Sequence, residues 1–263
     1  MISLAPHRIM AIVRRHFLLS FCRFSRIFNV VYWPFINIVI WGITSVWIQH
    51  FSQDPHLIQT ILTGLVLWQV VFRVNVETAR GLFEELVHHN VVHIFSTPLT
   101  LAEWIIALMI MGIINMIVVM VCSSTAVWFL YGINILSLGW HLIPFMLLLL
   151  MSGWFIGFFI CGLLVYWGLK AQDFISSIGY IFAPFSAVFY PLDALPGIAQ
   201  SIGNWLPTTP VFEAMRELIK TGSYSSDFLL KSLILNCIYL SCSLGFFYLQ
   251  FARSKQRGLA RLE

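Results

Sequence analysis

The segment Arg80–Trp104, RGLFEELVHHNVVHIFSTPLTLAEW, is a long polar passage between two strongly apolar stretches of the chain. Its charged and imidazole side chains are Arg80, Glu84, Glu85, His88, His89, His93 and Glu103. Apolar residues recur between them at helical spacing, so the pattern predicts an amphipathic helix. Pro98 has no N–H and biases Thr97 away from helical conformation, so we expect the helix to end there. A short amphipathic helix between two membrane spans lies on the membrane surface or docks to a soluble partner.

The composition is that of a membrane protein. Of the 263 residues, 59% are hydrophobic and only 10% are charged, and the mean hydropathy is +0.87. Soluble domains carry about 25% charged residues. A chain this apolar cannot cover a water-facing surface, and its length has room for several spans of about 20 residues. The five cysteines are scattered and mostly lie in apolar runs, so we expect neither a disulfide framework nor a metal site from them.

Hydropathy along the chain predicts an all-α membrane protein with one transmembrane domain, residues 1–263. The six predicted transmembrane helices are residues 27–49, 57–78, 104–131, 142–169, 174–190 and 228–251. Residues 4–26 carry too many arginines to span, which predicts an amphipathic helix at the membrane interface. Residues 80–98 form the surface helix between the second and third spans. Gly153 and Gly157 form a G-x-x-x-G pair, which is typical of close helix packing within the bundle.

Residues 191–222 interrupt this rhythm of spans. The segment is polar and rich in proline, so it cannot cross a membrane as one helix. Broken helices at membrane depth persist only where they are buried in protein or line a cavity. The pattern therefore predicts a re-entrant element or cap that contains two short helices, near 194–204 and 209–221.

The distribution of basic residues orients the chain. With the N-terminus inside, every lysine and arginine except Arg216, Lys220 and Lys231 falls on the inner side. Cytoplasmic segments carry an excess of such residues. We therefore expect both termini and residues 80–98 to be cytoplasmic, and residues 191–222 to be external.

The sequence contains no motif of an enzyme. A P-loop, an H-E-x-x-H pair and a G-x-S-x-G elbow are all absent, so no ATP site or hydrolase site is expected on this chain. Glu85, His89 and His93 stand at i, i+4 and i+8, a spacing that could place metal ligands on one helical face. The alternative, a polar face that meets water, headgroups or a partner, is favoured because nothing indicates further ligands. We expect no metal and no nucleic-acid partner.

Aromatic residues make up 16% of the chain and gather on the first and fifth predicted spans. They are either packing and lipid-facing residues or the lining of a substrate pathway, on which sugars or acyl chains could slide. The residues predicted for such a pathway are Tyr32, Trp33, Phe35, Trp41, Phe182, Phe185, Phe189 and Tyr190. Aromatic content alone does not separate amphipathic substrates from glycans.

Four features that extend over nearly the whole chain match one family pattern. A basic interfacial helix precedes the six spans. Residues 81–86, GLFEEL, lead to residues 96–100, STPLT, like a coupling segment that ends in [ST]-P-[LI]-[ST]. Residues 188–196, VFYPLDALP, are similar to an F-Y-P-[LI]-x-x-L-P signature. Residues 205–210, WLPTTP, precede a helix with Arg216 as in an external re-entrant element, although Pro-Thr-Thr-Pro replaces the usual Asn-Pro.

With these features the chain resembles the membrane subunit of ABC-2 type (type V) ABC transporters, in the compact six-span exporter form. The resemblance implies a homodimer in a bacterial inner (plasma) membrane, in contact with lipid and paired with two cytoplasmic ABC ATPase subunits. ATP and Mg would bind those partners, so this chain would need no cofactor. The substrate would be amphipathic, lipid-linked, glycan or drug-like.

The resemblance also assigns roles to individual residues. Those implied to couple the chain to the ATPase are Glu84, Glu85, Leu86, His88, His89 and Asn90. Those implied to form an external gate are Pro191, Pro196, Pro207, Pro210 and Arg216. The alternative function is a non-transporting membrane scaffold that recruits a cytoplasmic partner through residues 80–98.

Overall fold

The computed structural model describes residues 5–21, 24–52 and 54–257, which form helices and turns without a β-strand. The α-helices of these residues are α1 (Pro6–Phe21), α2 (Phe24–Gln49), α3 (Leu57–Val87), α4 (Val91–Ser96), α5 (Leu101–Tyr131), α6 (Leu142–Trp167), α7 (Phe174–Phe185), α8 (Gly197–Trp205), α9 (Thr208–Thr221) and α10 (Ser226–Arg257). Three short 3-10 helices are Ile135–His141, Gly168–Ala171 and Leu192–Ala194. The all-α prediction is therefore confirmed.

Four helical stretches in the described part of the chain are long and apolar enough to cross a membrane. They are Leu57–Val87, Leu101–Tyr131, Ile135–Ala171 and Ser226–Gln256. Each exceeds the roughly 20 residues that the hydrocarbon core of a bilayer requires. These helices indicate a membrane protein.

Two predicted segments differ from the observed helices. α3 continues to Val87, beyond the expected end at 78, so residues 80–98 are the end of α3, a turn and the short helix α4. α7 has 12 residues and ends at Phe185 instead of 190. At 1.5 Å per residue it is about 18 Å long, too short to cross a membrane alone. It stops because Ala187 takes a left-handed conformation with φ of 54°.

The predicted interface helix, 4–26, corresponds to α1 and the first residues of α2. Residues 4, 22 and 23 of that prediction lie outside the described residues. The prediction of two short helices within 191–222 is confirmed by α8 and α9.

α3 lies at the centre of the core and approaches α6 closely through glycines. A Cβ atom at Gly153 would lie 2.7 Å from the Cβ of Val74, and one at Gly157 would lie 2.6 Å from the Cβ of Thr78. The predicted G-x-x-x-G packing is thus confirmed, since only glycine lets the two helices come this close.

A buried polar contact joins α6 to α10. The Ser152 hydroxyl donates to Asn236 Oδ1 at 2.8 Å, and Asn236 Nδ2 donates to the Leu148 carbonyl at 3.1 Å. Both polar residues are fully buried. Such hydrogen bonds hold apolar helices in register because an unpaired polar group would be costly there.

Candidate functional site

The chain reverses direction between α3 and α5, at the segment that the sequence singled out. The backbone N–H groups of His88, His89 and Asn90 donate to carbonyls of the last turn of α3. His89 is left-handed, with φ of 52°, which ends the helix. α4 follows, and Thr97 is extended with ψ of 167°. The predicted effect of Pro98 on Thr97 is therefore confirmed.

A buried ion pair holds the end of α3 against α1. Glu85 is 2% exposed, and its Oε2 accepts a hydrogen bond of 2.7 Å from Arg15 Nη2. His16 Nε2 lies 3.9 Å from the other carboxylate oxygen. A buried carboxylate is tolerated only when it is paired in this way, so Glu85 fixes the position of α1 relative to α3.

A second buried carboxylate holds the start of α5. The backbone N–H and the hydroxyl of Thr100 donate to Glu103 Oε2, at 2.8 and 3.0 Å, while the Glu103 N–H donates to the Thr100 hydroxyl. This reciprocal arrangement is a capping box. The other oxygen, Oε1, accepts the backbone N–H of Ala5 at 2.8 Å and lies 3.8 Å from Arg8 Nη1. Glu103 thus caps α5 and binds the start of α1.

We call Glu85, Glu103, Arg8 and Arg15 the carboxylate clamp. Arg8 Nη1 also donates to the Pro98 carbonyl at 2.7 Å, which adds the end of the turn after α4 to the clamp. The clamp therefore joins α1 to α3 and to α5 by separate contacts on both sides of α4.

An apolar contact supplements the clamp. On α1, Val13 is 6% exposed and forms a small buried cluster with Ala107 and Met111 of α5. Arg8, Arg15 and Val13 of the predicted amphipathic helix thus have partners within the protein. α1 packs along the first turns of α5 as well as presenting an exposed face.

The residues predicted to dock a partner fall into two groups. Glu85 and Leu86 are buried, at 2% and 0% exposure, so they cannot form part of an outer docking surface. Arg15 and His16 of α1 lie against Glu85, and Leu86 lies in the hydrophobic core. His88 and His89 are exposed, and Glu84 and Asn90 are half-buried. With His93 of α4, these histidines form the outer face of the turn.

The predicted common face of Glu85, His89 and His93 does not exist. α3 ends between the first two of these residues, and α4 begins before the third, so a single helical spacing no longer relates them. Glu85 is instead paired with Arg15. Within the described ranges, no group of three or more His, Cys, Asp or Glu residues is placed to hold a metal ion.

At the opposite end of α3, a buried arginine organises the turn after α7. Arg216 of α9 is 6% exposed, and its guanidinium donates to the Ala187 carbonyl and, at 2.9 Å, to Glu213 Oε1. The same carboxylate oxygen accepts the Leu192 N–H at 2.9 Å. We call residues 186–192, together with Glu213 and Arg216, the arginine turn. The predicted gate residue Arg216 is therefore an internal support, not an exposed lining residue.

Hydroxyl groups and a glycine fix the arginine turn further. Thr208 donates to the Ser186 hydroxyl at 2.8 Å, and Ser186 donates to the Phe182 carbonyl, also at 2.8 Å. A Cβ atom at Gly64 of α3 would lie 2.6 Å from the Val188 carbonyl oxygen. The turn is therefore seated directly on the backbone of α3.

The four prolines predicted for an external gate have different environments. Pro191 and Pro196 are exposed and flank the short helix Leu192–Ala194. Pro207 and Pro210 are buried at the start of α9, where the Ser232 hydroxyl donates to the Pro207 carbonyl at 2.6 Å. The first pair lies at the surface, whereas Pro207 links the start of α9 to α10.

The predicted pathway aromatics are brought together only in part. Trp41 of α2 and Phe189 of the arginine turn stack with ring centroids 4.0 Å apart and planes at 8°. Phe182 meets Phe155 of α6 edge to face, Phe185 is half-buried, and the Tyr190 hydroxyl donates to the Pro184 carbonyl. The exposed residues of this set are Tyr32, Trp33 and Phe35, on the earlier turns of α2.

An ion pair connects the loop before α3 to the end of α9. Lys220 Nζ lies 3.2 Å from Asp54 Oδ2, and the His56 N–H donates to Asp54 Oδ1 at 2.9 Å. The hydrogen bond from His56 and then the contact with Lys220 hold the pKa of Asp54 below its usual 3.8.

Comparison with known proteins assigns no family. No protein-family model matches this chain, and no curated protein matches it. Its sequence and its internal contacts are therefore the basis for a proposed function.

The roles of Arg8, Arg15 and Glu103 were not predicted from the sequence. Of these, only that of Glu103 could have been predicted, because it is the third residue after Thr100, as in a capping box.

Proposed function

We propose that this chain is the membrane-spanning permease subunit of an ATP-driven ABC exporter of the ABC-2 type. In this proposal six spans cross a bacterial inner membrane: α2, α3, α5, α6, α7 with the arginine turn, and α10. Two copies of the chain pair with two ABC ATPase subunits on the cytoplasmic side. An amphipathic, lipid-linked, glycan or drug-like substrate crosses between them.

The observation that carries the proposal is the carboxylate clamp around α4. A subunit driven by a separate motor needs a surface that the motor can push and a rigid connection from that surface to the spans. α4 and its histidines offer the surface. Because α3 and α5 continue directly from this segment and the clamp adds α1, a displacement of α4 would move three helices together.

The opposite end supplies a candidate for the outer closure of the pathway. The Trp41–Phe189 stack joins α2 to the arginine turn, and that turn rests on α3 through Gly64. A relative movement of α2 and α3 would therefore disturb this stack. We propose that the stack is part of the external gate. Arg216 stabilises the turn that carries Phe189 through its hydrogen bond to the Ala187 carbonyl.

The test is reconstitution with candidate ABC ATPases from the same organism, followed by measurement of ATP hydrolysis and ATP-dependent flux in proteoliposomes. The decisive variant is His88→Ala with His93→Ala, because both side chains are exposed and Glu85 is left intact. Truncating two interface residues at up to about 1 kcal/mol each should lower the affinity for the ATPase by about tenfold. Flux should fall at limiting ATPase concentration.

His50→Ala is the matched control, since it removes an exposed imidazole at the far end of α2. This variant should retain both ATPase affinity and flux. If the His88→Ala, His93→Ala variant also retains ATPase affinity and flux, these histidines do not form the docking surface. If the wild-type chain neither binds the ATPase nor supports flux, the scaffold function is favoured.

A further inference from the structure

Two cavities lie along the second half of α5. The first, of about 400 Å³, lies between α2 and α5; Pro34, Phe35, Ile38, Ser123, Ala126 and Phe129 are among its lining residues. The second, of about 330 Å³, includes Ser124, Trp128 and Asn134 in its lining. Val121 and Thr125 line both, so the two cavities are neighbours along α5, and we call them together the groove.

Two adjacent hydroxyl groups of this groove are unusual. Ser123 is 1% exposed, and in the part of the chain that the structure describes its Oγ has no hydrogen-bond partner; the Oγ of Ser124 is likewise buried and unpartnered. Hydroxyls in helices normally donate to the carbonyl four residues earlier. Thr125 does so to Val121 at 2.8 Å, and Ser243 of α10 does so to Tyr239 at 2.8 Å.

The chemistry of the groove defines what would fill it. Among the described residues, none that lines either cavity carries a charge. A ligand that fits the groove has an apolar body, together with a polar group that can pair with one buried hydroxyl, for example an acceptor for its O–H. A fatty-acyl ester has both, whereas a free carboxylate or phosphate would remain without a cation.

The position of the groove supplies the source of that ester. α5 is one of the helices long and apolar enough to cross a membrane, so the groove faces a medium in which acyl chains are abundant and water is scarce. We infer that the groove is a specific site for a membrane phospholipid, with one acyl chain between α2 and α5 and its ester carbonyl accepting the Ser123 hydroxyl. This site depends only on membrane insertion, not on the proposed transport function.

The experiment compares two lipids that differ only in that acceptor. The purified, delipidated protein is mixed with equal amounts of a diester and a diether phosphatidylglycerol of the same chain length, and bound lipid is counted by native mass spectrometry. The diether lacks the carbonyl. One hydrogen bond should make the wild-type protein prefer the diester by about two- to tenfold. Ser123→Ala should bind both lipids equally.

Two further variants complete the test. Ala126→Phe, which fills the first cavity, should lose the tightly held lipid of either kind. Ser243→Ala removes a buried hydroxyl that is already bonded to its own helix, and it should keep the wild-type preference. Equal binding of the two lipids by the wild-type protein would mean non-specific annular lipid only and would overturn the proposal. A preference that survives in Ser123→Ala would overturn it as well.

Discussion

The two ends of α3 differ in which charged group is buried: carboxylates at one end and a guanidinium at the other. At the α4 end, the carboxylate clamp buries its acids and leaves its cations at the edge: the side chains of Arg8 and Arg15 are 34% and 35% exposed. At the other end, the arginine turn buries its cation, and Arg216 is bonded to a backbone carbonyl and to a carboxylate three residues before it.

The two sets of contacts also differ in what they connect. The clamp and the adjoining Ala5–Glu103 hydrogen bond connect residues that lie 70 to 98 positions apart, so breaking these contacts frees one helix from another. The arginine turn satisfies a carbonyl within an irregular stretch of chain, so breaking it leaves that carbonyl buried and unpaired. At the proposed coupling end, loss of the clamp would therefore let α1 separate from α3 and α5. At the other end, the arginine turn holds its own segment of chain in a fixed conformation.

The largest effect is expected from Arg216→Met. This change keeps an unbranched, apolar stem but leaves the Ala187 carbonyl and the Glu213 carboxylate without their cation. Removing one partner of a buried ion pair costs about 3 kcal/mol. We expect the thermal unfolding midpoint in detergent, measured by size-exclusion chromatography after heating, to fall by several degrees.

Lys220→Met is the control for this prediction. It lies one turn further along α9, and its ion pair with Asp54 is exposed, with side-chain exposures of 52% and 32%. Exposed pairs contribute about 0.2–1 kcal/mol. If both variants lose the same stability, Arg216 is not the support of the turn.

A smaller effect is expected at the clamp, from Glu85→Gln and Arg15→Met. The amide of glutamine can still accept from Arg15, but the charge is lost, so each single change should cost about 1–2 kcal/mol. The double variant should lose less stability than the two single variants combined, because either single change already removes the Arg15–Glu85 interaction. Thermal unfolding of the four proteins of this cycle measures the coupling energy.

The control for the clamp is Arg14→Met, which changes an exposed neighbour on α1. It should change the free energy of unfolding by no more than about 0.5 kcal/mol. Additivity of Glu85→Gln and Arg15→Met, within error, would contradict a direct pair. Loss of ATP-dependent flux in Glu85→Gln, with ATPase binding intact, would place the clamp in transmission and not in docking.

Local features were predictable from the sequence. The extended Thr97 before Pro98, the short helices α8 and α9, and the close contact at Gly153 follow from rules that act over a few residues. The all-α class follows from composition. These outcomes required no knowledge of which distant segments meet.

The features that were not predictable depend on distant contacts. The family resemblance includes Glu85 among the docking residues, and only the packing of α1 shows that Arg15 pairs with it. The short α7 could not be foreseen, since alanine rarely adopts the left-handed conformation that Ala187 takes. The support by Arg216 likewise arises from a carbonyl that this turn exposes to α9.

The smallest effect is expected from Asp54→Asn, beside the arginine turn, and it depends on pH. The pKa of Asp54 is lowered in the folded protein, so its contribution is present above the unfolded value of 3.8 and is lost as the pH falls through the folded value. At any pH from about 5 to 7 the unfolding midpoint of the variant should be slightly below that of the wild type. The two midpoints should converge only as the pH falls below 3.8 and through the folded value. Most of the difference should persist in a Lys220→Met background, because the His56 N–H is the larger cause of the shift. If Lys220→Met abolishes it, the ion pair and not the backbone hydrogen bond holds the carboxylate.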